Sequence, residues 1–556
     1  MMTQLHDFSL PTGSTLRRLW YGSSRAEIRR RILSWLVVWV LVLFPHRAAA
    51  QYMWQKLERT SSKPALTGDI EYHVETQLSV SKGKTPLWLN ANKYGLSSLS
   101  ATNGYVRGSA IRPLSADSAR RWGIGYGVDV AVPLHYTSKV VVQQAFAEVR
   151  WLHGVLSIGS MQRPMEMKNQ TLSSGSQTLG INARPVPQVR LSLPEYWTIP
   201  WTRRWLHFKG HIAYGRMTDD NWQHDFTECK RKYADHVLYH SKAGYLRIGH
   251  EGRPLSLEMG LEMVTFFGGD PWTPKGDGTM QRIPTGKGLK DYWYAFLPGG
   301  SDATDGIYRN SEGDLVGSWL LRLSYDTDKW RFSLYGDHFF EDHSQMFFLD
   351  YDGYGSGDEW QQRKDNRYYV YSLKDMMLGM EFNLKNGTWL RNVVFEYLFT
   401  KYQSGPYNHD HTKNLPDHMA GMDDYYNHSV YTGYQHWGQV MGNPLYRSPL
   451  YNTDSQIWVS DNRFVAFHLG IDGQPTKRLG YRILGTWQKG WGTYDEPFTK
   501  AHHNISFLAE AHYTLPKRWT VKAAYAMDFG STAMLGHNAG FQLTVGKTFR
   551  GKRAKR

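Results

Sequence analysis

Cysteine is nearly absent from the 556-residue chain: Cys229 is the single one. One thiol excludes an intramolecular disulfide and a Cys-rich zinc site, and its place far along the chain excludes a lipoprotein anchor. Long apolar runs are lacking as well. With a mean hydropathy of −0.54 and no stretch of about 20 apolar residues, a bundle of membrane helices is excluded. Disorder is excluded in turn by 22 Trp, 35 Tyr and 23 Phe, far more aromatic surface than an unfolded chain carries. Acidic residues are the scarcer charge, 50 against 65 Lys and Arg, for a net +15. Whether that excess means nucleic acid depends on where it lies.

The first fifty residues read as an export signal. Arg29, Arg30 and Arg31 precede an apolar run from Ile32 to Phe44, and Ala48, Ala49 and Ala50 offer a small-residue cleavage site before Gln51. The apolar run is too short to span a bilayer. Cleavage after Ala50 removes seven basic and two acidic residues and leaves about +10. Residues 51–67 are then expected as a periplasmic segment, 68–549 as the folded body and 550–556 as a basic tail able to touch lipid phosphates. Export argues against a nucleic-acid partner.

The mature chain is patterned with a period of two. Trp122, Ile124, Tyr126, Val128, Val130 and Val132 alternate with Gly123, Gly125, Gly127, Asp129 and Ala131, and similar runs of about ten residues recur to Phe549. Connections alternate too. Tight turns at Glu251–Pro254, Asp326–Lys329, Lys385–Thr388, Asp472–Pro475 and Leu515–Arg518 interleave with longer segments at 265–314, 337–377, 401–462, 489–503 and 529–538. Short inner turns and long outer loops in strict alternation are the mark of an outer-membrane barrel. Counting back through 237–249, 206–215, 185–193, 155–161, 140–151, 122–132, 103–110 and 68–80 predicts an all-β transmembrane barrel of about 18 antiparallel strands, both ends periplasmic. Between residues 81 and 121 the period blurs, and a helix could stand there for one strand.

Several segments resemble the capsule assembly Wzi family of outer-membrane proteins, in the branch carried by Bacteroidetes-like bacteria. They are Thr85–Leu96, Asn103–Tyr105, Ala183–Gln188, Phe208–His211, Phe339–Asp342, Glu396–Tyr397 with Gln403–Pro406, and Asp424–Asn427 with Gly442–Leu445. Together they run from about residue 70 to the C-terminus. The resemblance implies an 18-stranded barrel with small helical elements at the periplasmic end, and a lectin-like role holding capsular or exopolysaccharide at the cell surface.

The loop from Tyr407 to Asn462 is the leading binding candidate. Trp437, Tyr425, Tyr426 and Tyr434 stand there among Asn427 and Asp424, and sugar rings stack on aromatics while their hydroxyls bond amides and carboxylates. Trp293 and Tyr292 form a second patch. The alternative in both places is that these aromatics pack the loops down over the barrel mouth. His409, His411 and His418 with Asp410 and Asp417 have a loosely metal-like spacing but no zinc signature, so no cofactor or metal is expected. Gly123–Gly127 lacks the third glycine of a dinucleotide loop. Asp219–Asp220 and Asp423–Asp424 are sequence neighbours, which on a strand point to opposite faces, and no nucleophile elbow is present; no enzyme is expected.

Inward positions Asp129, Glu148, Arg150, Glu258, Glu262, Arg322, Glu396, Lys522 and Asp528 mix signs, which favours internal ion pairs over a selectivity ring. The three longest outer loops are net acidic, so the basic excess falls in the lumen, inner turns and tail. Stacking, hydrogen bonding or a bridging divalent ion therefore fits the outer loops better than attraction of an acidic glycan. The reading is a monomeric outer-membrane protein that contacts lipid or lipopolysaccharide and binds capsular or exopolysaccharide. A porin-like sugar channel and an outer-membrane polysaccharide or lipid hydrolase are the alternatives.

Overall fold

The structure, a computed structural model, describes residues 68–297, 313–341, 348–350, 367–369, 375–409 and 418–550. The expected export signal, the segment 51–67 and the tail beyond Arg550 lie outside these residues.

Eighteen strands form one sheet. They are β1 (Glu71–Lys82), β2 (Thr102–Arg112), β3 (Trp122–Leu134), β4 (Val141–Trp151), β5 (Gly154–Ser160), β6 (Gln188–Thr198), β7 (Leu206–Arg216), β8 (Leu238–Ile248) and β9 (Leu255–Phe267). The second half comprises β10 (Asp314–Asp326), β11 (Trp330–Glu341), β12 (Met376–Leu384), β13 (Asn392–Phe399), β14 (Phe464–Gly473), β15 (Leu479–Gly492), β16 (Pro497–Leu515), β17 (Trp519–Gly530) and β18 (Asn538–Arg550). Each pairs antiparallel with its chain neighbour, and β1 pairs with β18 from Glu71↔Arg550 to Lys82↔Ala539. The sheet is thus a closed barrel without an edge, as a backbone surrounded by lipid requires.

Alternation sets the two faces. Outward Val106, Val128, Val132, Leu156 and Leu191 are 46–61 % exposed, which a water-facing wall would not sustain and a hydrocarbon-facing wall demands. Aromatics edge the band on the inner side, where the Trp122 and Trp151 rings lie 6.0 Å apart and Tyr325 stacks on Trp330 at 5.7 Å. Charges turn inward and pair, as in Arg107–Asp129 (2.5 Å), Arg322–Glu381 (2.7 Å) and Arg482–Glu510 (3.2 Å).

Three details differ from expectation. Residues 489–503 are not an open loop: β15 and β16 continue as a hairpin closed by residues 493–496, with Lys489↔His503 and Gly490↔His502 in register. Mutual pairing satisfies these backbone groups beyond the wall. Both strands flanking residues 83–101 form, and the helix there, α1 (Leu87–Asn90), is four residues within the connection. The α-helices lie on the outer side, α1 together with α2 (Asp220–Thr227) and α3 (Leu289–Phe296), whereas the inner end has only 3-10 turns at Leu114–Asp117, Pro200–Thr202 and Pro516–Arg518 among the described residues. Asp219 caps α2 and Asp220 is its first residue, so this pair is not on a strand.

Candidate functional site

Three outer segments, 83–101, 161–187 and 423–463, fold inward and fill the lumen. Residues 161–187 descend furthest. Asn169 Nδ2 donates to Glu381 at 2.9 Å, and Arg482 Nη1 to the Thr171 carbonyl at 2.9 Å, both near the inner ends of their strands. On the way back Ser173 Oγ and the Ser174 N–H donate to Glu396 at 2.5 and 2.7 Å, and Lys168 pairs with Asp337 at 2.5 Å. The contact with the wall is close enough to select glycine: a Cβ on Gly470 would stand 2.4 Å from the Leu172 carbonyl oxygen. From the other side, Trp88 Nε1 donates to Thr486 Oγ1 at 3.2 Å.

The long loop packs on this plug through its tyrosines. Tyr425, Tyr426, Tyr434 and Tyr446 are 0–1 % exposed, with Tyr426 4.0 Å from Tyr446 and Phe339 4.8 Å from Tyr425, ring centre to ring centre. Their hydroxyls are used internally: Tyr434 donates to the Thr178 carbonyl at 2.6 Å, and Tyr426 to that of Gln177. Tyr425, Tyr426 and Tyr434, expected as sugar contacts, therefore present no face to a ligand; packing of the loop, the alternative, describes them. The reason is size, since a loop of this length needs a core of its own.

The other candidates fall in three places. Asn427 staples the loop, donating to the Val459 carbonyl at 2.9 Å and accepting its N–H at 2.7 Å, while Asp424 accepts from Asn462 Nδ2 at 2.5 Å. Trp437 occupies a turn at φ +56°, its N–H held by Asp219 at 3.1 Å, and its ring is covered on one face by the Arg184 guanidinium at 4.2 Å. Tyr292 and Trp293 sit on α3, apart from the plug. Of the histidine cluster, residues 410–417 lie outside the described residues, and no group of three metal-ligating side chains occurs among the described ones.

Arg184 also roofs a cavity of about 190 Å³ between the descending limb 161–186 and the inner faces of β6, β7 and β8. Arg163, Arg190 and Lys209 line it with Tyr94, Tyr239 and Tyr245, against Glu166 as its one lining carboxylate. Lys209 pairs with Glu166 and lies 4.5 Å from the centre of the Tyr196 ring. Arg163 Nη2 donates to Ser157 Oγ at 2.7 Å, but its Nε has no acceptor. Arg190 has neither a hydrogen bond nor an ion pair among the described residues, and its Nε is buried. Burial pulls the Arg184 guanidinium down to about 10, which leaves it charged at neutral pH. Of its lining, Thr178, Ala183 and Tyr434 are buried, while Pro164 and Pro194 are exposed. Four cations thus face one lining carboxylate, while the Tyr94 hydroxyl donates to the Arg163 carbonyl and that of Tyr245 to Glu262; a lining of this charge can accept an anionic group. Arg190 was legible as inward from Val189 and Leu191 on either side, but nothing local marks a lumenal arginine as unpaired.

A family model described as capsule assembly protein Wzi matches residues 74–358. No curated protein matches the sequence. Among solved structures, the chain is similar to Wzi of Escherichia coli, described as an outer-membrane protein involved in group 1 capsule assembly and a carbohydrate-binding β-barrel, with 14 % identity, a TM-score of 0.52 and coverage of 87 % of this chain and 85 % of that one. OprD of Pseudomonas aeruginosa aligns at 8 % identity and a TM-score of 0.43, over 89 % of this chain and 98 % of its own.

Proposed function

The chain belongs to the capsule assembly protein Wzi family and is an outer-membrane β-barrel, and on that premise we propose that it binds an anionic capsular or extracellular polysaccharide and helps retain it at the cell. The observation that carries this is Arg190, a half-buried guanidinium with no hydrogen bond or ion pair among the described residues, in a cavity whose lining holds three further cations and one carboxylate. A guanidinium partly withdrawn from water gains from a hydrogen-bonded anion, and a glycan carboxylate or phosphate would supply one. The solved barrel of similar fold is described as carbohydrate-binding, which supports the same class of ligand.

Charge placement divides the labour. The acidic outer loops do not attract an acidic polymer, whereas the lumenal cavity does, so recognition is assigned to the barrel interior, with Trp437 and Arg184 above it as an outer contact. Trp293 and Tyr292 are left out of this site because they stand on the other side of the wall. The plug favours a closed binding protein over a sugar channel, and we assign no hydrolase role.

The test is direct binding. Purified protein in detergent should retain a uronate-containing polysaccharide and lose it as salt rises, with neutral glycans bound far more weakly. Equal binding of neutral and acidic chains would overturn the anionic reading, and no binding of either the polysaccharide reading. In cells, deletion should release polymer into the medium without stopping its synthesis.

A further inference from the structure

Helix α3 lies against the outside of the barrel wall. The Tyr214 hydroxyl donates to the Tyr292 carbonyl at 2.8 Å, and Lys242 Nζ to the last-turn carbonyls of Ala295 and Phe296 at 2.8 and 2.5 Å. Tyr214 and Lys242 belong to lipid-facing rows: Lys242 is opposite Ile212 in register, and Ile212 is 41 % exposed beside buried His211 and Ala213. Lipid disfavours an ammonium on such a wall, and the carbonyl end of a helix is its natural partner. Away from the wall, α3 displays Leu289 and Trp293, 91 and 51 % exposed and spaced by four, while Leu297 after it, 50 % exposed, borders the wall. One apolar stripe turned outward from the protein suits a helix lying in a membrane interface.

Beside α3 the wall is hollowed into a groove of about 700 Å³, flanked by Leu191, Phe208, Ile212, Leu261, Met263 and Phe296. Its floor is Gly210 and Gly244, which are opposite each other in register, so the hollow exists because two facing side chains are missing.

We propose that this groove seats an acyl chain of an outer-leaflet glycolipid, with α3 as the clasp. The groove is continuous with the lipid-facing band and lies near the middle of the strands, with Gly210 and Gly244 facing each other at mid-wall, below the outer connection that carries α3. Cations stand where the lipid's phosphates would lie: Arg216, two positions beyond Tyr214 on the same face, has a side chain 53 % exposed and only loosely paired with Asp220 at 3.7 Å, and Lys290 follows Leu289 on exposed helix.

Gly244→Leu fills the groove without crowding the fold, since a Cβ there meets only the Phe208 ring at 3.6 Å, whereas at Gly210 it would strike the Ala243 carbonyl oxygen at 2.4 Å. Protein extracted from outer membranes in mild detergent is analysed by native mass spectrometry, then returned to nanodiscs of lipopolysaccharide or of phosphatidylethanolamine. The wild type should retain stoichiometric glycolipid, and Gly244→Leu about tenfold less. Ile212→Phe, which fills the groove from its side, should give the same loss, and heat-modifiable gel mobility checks that both variants fold. Arg216→Ala with Lys290→Ala should lower retention of the lipopolysaccharide and not of the phospholipid. Undiminished glycolipid in both filled variants, or preferential retention of phosphatidylethanolamine, overturns the proposal.

Discussion

The Arg184 guanidinium stacks 4.2 Å from the centre of the Trp437 ring, and so joins a half-buried tryptophan of the plug to the roof of the cation-lined cavity. Stacking of this kind contributes roughly 0.5–2 kcal/mol. Trp437→Ala should therefore weaken polysaccharide binding about two- to thirtyfold, Trp437→Phe less, and Arg184→Lys nearly as much as the alanine because an ammonium lacks the planar face. Titration of the purified variants against one acidic glycan measures it.

Arg190→Gln should remove most of the preference for acidic over neutral glycan and flatten the salt dependence of binding. Thermal stability should hold or rise, because the substitution removes a charge that has no hydrogen bond or ion pair among the described residues. A fall in stability with unchanged binding would show that the guanidinium serves the fold.

Glu396 on β13 accepts from Ser173 Oγ and the Ser174 N–H of the plug and from Tyr335 Oη on β11, at 2.5, 2.7 and 2.6 Å. Glu396→Ala leaves all three donors buried and unmet, at roughly 1–3 kcal/mol each. The expected result is a lower melting temperature and current bursts in planar bilayers where the wild type stays silent.

Burial pushes the Asp461 carboxyl up to about 7, with Arg447 and Arg463 nearby pulling the other way. It accepts the Gly492 N–H at 3.1 Å and so ties the long loop to the tip of the β15–β16 hairpin. Because the folded value lies above the ordinary one of 3.8, the folded protein binds more protons between the two. This contribution to stability is full below about 3.8, fades as pH rises, and is gone above about 7. Asp461→Asn, which mimics the protonated form, should resist protease at the outer loops equally across that window, whereas the wild type should become more susceptible as pH rises through it.

The strand count and the two faces of the wall were legible because their cause is local. Hydrocarbon on one side and water on the other impose a period of two on every strand, and loop length alternates with the side of the membrane. Asp129, Glu262 and Arg322 could be assigned inward on that rule alone, and they are buried there. The hairpin at 489–503 escaped because its cross-strand pairing continues past the lipid, where no medium enforces alternation.

The direction in which a loop folds has no such signature. Interleaved tyrosines, amides and carboxylates suit a sugar site and a polar plug equally, and what buries Tyr426 is its fit against Tyr446 of its own loop and against Gln177 and Phe339 from two distant segments. The scarcity of apolar runs and the alternation of residues determined a barrel and its orientation. Which aromatics reach solvent, and that Arg190 has no hydrogen bond or ion pair among the described residues, only the tertiary structure decided, because both depend on contacts between residues far apart in the chain.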